Sequence, residues 1–159
     1  MPAFLGVLDA VRAAMPGVVH LVGMEQMTAT ATQPGTVVWV PGSDAYGAPE
    51  TQGRPRARWT RIEAVQVACW GRGAGKVTTP EEDMRAALEL ANGVLFALED
   101  TLAGSFRVSS GSWEANAPKA QFGRWYVLAL EFRAPVTRPQ ATATVTAVEQ
   151  ETELAPAGA

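Results

Sequence analysis

Histidine and cysteine are almost missing from this chain: His20 and Cys69 are the single representatives of each. One cysteine cannot close an internal disulfide, so a secreted disulfide framework is excluded. One Cys and one His cannot fill the roughly four positions of a zinc site. A Ser/His/Asp or Cys/His nucleophile needs a base beside it. His20 lies in an apolar stretch, and Cys69 shares a strand face with Val67, so a core thiol and a tolerated histidine are expected. No run of about 18 apolar residues is present, and no membrane-spanning helix is expected. Residues 1–14 include Asp9 and Arg12 and lack the long apolar stretch of a signal peptide; folding in a cytoplasm is expected. Charge is scarce too, at 18% against about 25% in typical domains. That scarcity hints at contacts buried between subunits. A net charge of −3 lacks the basic excess of a dedicated nucleic-acid binder.

What is present fits one domain of 159 residues, 47% hydrophobic, large enough to bury a core without staples. Residues 2–15 read as a short amphipathic helix, with Phe4, Leu8, Val11 and Met15 on one face and Pro16-Gly17 as its stop. Val18 to Val22 are ambiguous and fit a strand. Thr36-Val37-Val38-Trp39-Val40 is a strand, expected to end at Pro41-Gly42. Residues 42–57 read as a long loop without an element of its own. A second strand over 58–70 alternates Ile62, Ala64, Gln66, Ala68 and Trp70 against Glu63, Val65, Val67 and Cys69, and pairs with the first as a hairpin.

The strongest signal is a helix over 80–103. Thr79 is a natural N-cap, Pro80 sits at N1, and Glu82 at N3 completes a capping box. Met84, Leu88, Ala91, Leu95, Leu98 and Leu102 trace its apolar stripe, widened by Ala87 and Val94, and Gly104 is placed to end it. Phe106 and Val108 predict a strand ending in Ser109-Ser110-Gly111-Ser112. Residues 124–134 form a strand apolar on both faces, hence interior to a sheet. Residues 141–148 fit an edge strand or an arm, followed by a tail expected to be disordered. The fold class is α+β, a single mixed or antiparallel sheet with the long helix on one face and the short N-terminal helix beside it. The domain covers 1–136, and 137–159 is a C-terminal extension.

Catalytic and cofactor candidates fail on chemistry. Glu81, Glu82 and Asp83 are adjacent acids, but they read as solvated residues of a helix start, where the macrodipole favours them. Gly71-Arg72-Gly73-Ala74-Gly75-Lys76 lacks the leading glycine of a phosphate loop, since that position is Trp70, and Val77 replaces the metal-binding hydroxyl. No catalytic, metal or cofactor-binding residue is assigned, and no enzyme activity is expected.

Interface candidates are better supported. Arg54, Arg56, Arg58 and Arg61 cluster beside Pro55 and Trp59. They form either a solvated arm, an arm that binds an acidic surface through the planar guanidinium fork, or a contact for DNA phosphates. Glu99 and Asp100 occupy the last turn of the long helix, where acids oppose its dipole by about 0.3–1 kcal/mol each. Arginines of a neighbouring subunit would offset that cost. Of five tryptophans, Trp59 and Trp113 adjoin loops and are expected on the surface.

This order of elements resembles the tail terminator (tail completion) proteins of long-tailed phages, of the lambda minor tail protein type. The resemblance covers residues 1–136. It rests on the short N-terminal helix, Val37-Val38-Trp39-Val40 with its long loop, the Val67-Ala68-Cys69-Trp70-Gly71 strand end, the capped helix, and Gly123-Arg124-Trp125-Tyr126 leading into the last main strand. It implies a virion structural protein at the head-proximal end of the tail, assembled in the host cytoplasm. Its partners would be further copies of itself in a hexameric ring, the tail tube protein and the head–tail connector protein, with DNA crossing the bore unread. Two other readings stand beside it. One is a neck, connector or tail-tube ring subunit. The other is a small enzyme or ligand-binding domain, which requires a concave pocket with perturbed titratable groups.

Overall fold

The computed structural model describes residues 3–23, 35–47, 59–102, 106–114 and 123–136. Helix α1 spans Ala3–Ala14, and strands β1 and β2 span Val19–Val22 and Thr36–Gly47. β3 is Thr60–Gly71, helix α2 is Pro80–Leu102, β4 is Phe106–Trp113, and β5 is Arg124–Pro135. Arg54, Arg56, Arg58, Gly104 and the whole extension 137–159 lie outside the described residues.

The strands form one mixed five-stranded sheet in the order β1-β2-β3-β5-β4. β1 runs parallel to β2, and every other pair is antiparallel. β4 is therefore parallel to β3, with β5 filling the gap between them, so β3–α2–β4 is a split β-α-β unit. α2 packs on β3 and β5, and α1 packs against α2. The expected α+β class, with a long helix and a short N-terminal helix against one sheet, is the observed one.

Alternation places the core. Val65, Val67 and Cys69 of β3 and Leu128, Leu130 and Phe132 of β5 meet Phe4, Leu8 and Val11 of α1 and Ala91, Val94 and Leu98 of α2. Residues of the other parity, Val38, Ala68, Trp70, Trp125 and Val127, form a second buried cluster on the far face. β3 and β5 are thus apolar on both sides, as interior strands must be.

Three sequence expectations need correction. β2 does not stop at Pro41-Gly42. It continues to Gly47 through a register shift between Pro41 and Asp44, a bulge that absorbs the proline, which has no N–H for the ladder. β4 likewise runs on through its Ser/Gly stretch to Trp113 with a shift between Val108 and Ser110. The buried seam of α2 is Ala87, Ala91, Val94 and Leu98, while Leu88 is exposed. The small alanines allow a close approach. A Cβ on Gly71 would run into the backbone of Ala87.

Candidate subunit interface

The distal half of the β2–β3 hairpin carries Trp59 and Arg61, two of the residues that the sequence singled out. Tyr46 pairs with Arg61 and Gly47 with Thr60. Trp59 continues β3 by one residue, its carbonyl accepting a 2.9 Å hydrogen bond from the Val136 N–H. By strand alternation Tyr46, Trp59 and Val136 share one face. All three are exposed, Tyr46 at 60% and Trp59 at 47%.

Arg61 is taken up inside the chain. Its Nη2 lies 2.6 Å from Glu63 Oε1, and Glu63 is buried. Glu63 Oε2 accepts the N–H of Phe4 at 3.1 Å. The first turn of α1 leaves N–H groups without helical partners, and a carboxylate there satisfies one and suits the dipole. Arg61 balances the buried acid, so it anchors the base of the arm rather than extending from it.

At the far end of α2, Glu99 and Asp100 are exposed, and the last turn holds no basic residue. Glu99 and Asp100 lie three and four residues beyond Phe96, close enough on a helix to be its neighbours. Phe96 is 66% exposed. The apolar stripe read from the sequence passed over it. Its position opposite Ala87 and Leu98 on the helical wheel was the available signal. Trp113 lies at the end of β4, 38% exposed, its ring edge-on to Tyr126 with centroids 4.9 Å apart. Trp39, Trp70 and Trp125 are buried.

The remaining candidates are internal. Asp83 is buried, not solvated as its place in the first turn of α2 implied. Its Oδ1 accepts the Gly73 N–H at 2.8 Å, and its Oδ2 accepts the Gly123 N–H at 3.1 Å. Burial alone would raise its pKa, but the donated N–H groups and nearby Arg124 outweigh that and hold it below the usual value. The Gly73 N–H, which a phosphate loop would keep for its ligand, goes to this carboxylate. The capping box forms: Glu82 N–H donates to Thr79 Oγ1, and Thr79 N–H donates to Glu82 Oε2.

His20 is buried and its Nδ1 accepts the Trp39 indole N–H at 3.1 Å. Burial, then the charge of Arg12, lowers its pKa to about 4. Burial raises the Cys69 thiol to about 12. Val37 stands between His20 and Cys69 in the register, so they are two strand spacings apart, about 10 Å. That is too far for a base to activate a thiol. Among the described residues no group of three His, Cys, Asp or Glu side chains is placed to hold a metal. None of the described helices is long and apolar enough to cross a membrane. No family model and no curated protein sequence matches the chain.

Proposed function

We propose that this chain is a structural, ring-forming subunit of the tail-terminator kind. The arginine arm of one copy pairs with the acidic end of α2 in the next. The closed ring caps a tail tube, stops its growth and offers the head–tail connector protein a joining surface. The supporting observation is the exposure of Glu99 and Asp100 at the C-terminal turn of α2, a turn that carries no basic residue of its own. The fold by itself favours Lys or Arg there. A cationic partner reverses that preference, and the same sequence supplies Arg54, Arg56 and Arg58. Contacts between unlike patches close into a ring when the rotation per subunit fits. The virion is then the site of action, and DNA in the bore meets the ring through phosphates alone.

The test is the double reversal E99K/D100K. In the isolated monomer two lysines now complement the helix dipole, and stability rises by about 0.3–1 kcal/mol for each. In the assembly the same change places like charges together. Sedimentation and negative-stain imaging at high concentration, with and without isolated tail tubes, should show association weakened. An unchanged ring removes this pairing. Open filaments formed by the chain alone would identify a tube subunit instead.

A further inference from the structure

We propose that His20 is an acid-operated release for β1: when its ring takes up a proton, β1 leaves the sheet and uncovers the edge of β2, while β2, β3, β5 and β4 stay paired. The device works within one copy and does not depend on ring formation.

The Nδ1 of His20 accepts the Trp39 indole N–H, so the neutral ring carries its proton on Nε2. Nε2 is buried and has no hydrogen-bond partner. A further proton must go on Nδ1, the atom that faces the indole donor. Two donors then point at each other, and the new cation keeps a buried N–H without an acceptor. Arg12 stands beside this site, its Nη2 donating to the His20 carbonyl at 3.0 Å. That bond ties one positive charge to the backbone of the residue that would become positive. Asp9 pairs with Arg12 at 3.3 Å and is exposed. Asp9 and Arg12 are the charged residues of α1. On the strands, residues 19–22 and 36–40 hold no ionisable side chain besides His20. These elements therefore offer an imidazolium no buried carboxylate.

The sheet topology decides which element gives way. β1 meets β2 over four residue pairs and has no described strand on its other side. β3 and β5 meet over twelve. α1 has anchors of its own, the Phe4 N–H on Glu63 Oε2 and its packing on α2, so it stays when β1 goes. Short elements held on one side open at lower cost than the whole fold. Opening returns His20 to water, where it binds its proton at the ordinary 6.5; in the closed sheet, burial first and Arg12 second lower that to about 4. Acid thus favours the open state, by about 150-fold at pH 4 relative to neutral pH. Histidine protonation that biases an element with two arrangements is the general form of such a device.

An NMR titration of the full chain from pH 7 to pH 3.5 tests this, following the His20 ring and the Trp39 indole N–H. The two signals should change together, at one midpoint between about 4 and 6.5. Residues 19–22 should take unfolded shifts there, while β3 and β5 keep native ones. Amide exchange, with intrinsic rates divided out, should show residues 19–22 opening ahead of β3 and β5 at both ends of the range. Their protection should fall about 150-fold between pH 7 and pH 4. In His20→Gln, whose amide oxygen still accepts the indole N–H, that fall should vanish. A ring that protonates while the Trp39 signal and β1 stay native would overturn the proposal. So would loss of β1 and β5 in a single transition, or an equal fall in folded H20Q. Should H20Q not fold, the parent titration alone decides, since it needs no variant.

Discussion

Asp83 is 4% exposed and accepts N–H groups from two glycines far apart in sequence. It ties the start of α2 to the glycine loop on one side and to the beginning of β5 on the other. Asp83→Asn keeps one acceptor oxygen but turns an NH2 against the second N–H. Urea denaturation should show a loss of about 1–3 kcal/mol at neutral pH. His20 makes a separate, milder demand. Its folded-state pKa is depressed from 6.5 to about 4, so the unfolded chain binds the proton first. Its contribution is complete above pH 6.5 and is lost as the pH falls toward 4. At 1.36 kcal/mol per pH unit the loss reaches about 3 kcal/mol. Thermal melts between neutral pH and pH 4 should show that slope in the parent and a flatter one in His20→Gln. Asp83, also depressed, loses its contribution only at lower pH, as the carboxyl protonates.

The elements show how helix and sheet fit together. Gly71 lies where α2 presses on the end of β3, and a methyl there meets the backbone of Ala87. Gly71→Ala should cost about 1–3 kcal/mol by overpacking, read as a lowered urea midpoint. Ala87→Gly, added to it, should recover little, because the clash is with backbone. α2 was legible in the sequence through Thr79, Pro80 and Glu82, whose roles are local. The parity of β3 and β5 was legible because side chains alternate with the pleat. β2 beyond Pro41 was not legible, since its bulge is set by a partner strand across the hairpin. β4 was not fully legible either. Seven of its eight residues are exposed, so pairing with β5 rather than burial of its own side chains keeps it a strand. In the candidate interface, the exposure of Trp59 and Trp113 followed from their neighbouring loops. The capture of Arg61 by Glu63, and the isolation of Phe96 on the outer side of α2, depended on which faces the fold buries.

At the scale of the molecule, the sheet is covered by helices on one face and holds a second aromatic cluster on the other. Trp70 and Trp125 pack there with their rings tilted by 31° and centroids 6.1 Å apart. β3 binds this arrangement together, since it pairs with β2 and β5 along its length and lies beneath α2. Its partner β5 sits between β3 and β4, yet it is the last in sequence of the five described strands. During translation the first four strands emerge with an empty lane down the middle. Until residue 135 has cleared the ribosome, apolar β3 lacks its partner on that side and β4 has no strand to pair with. Such non-local closure is slow and leaves sticky surface open in the meantime. The vulnerable stage for this protein is therefore its birth, and a nascent chain stalled before Arg124 is the form most in need of a chaperone.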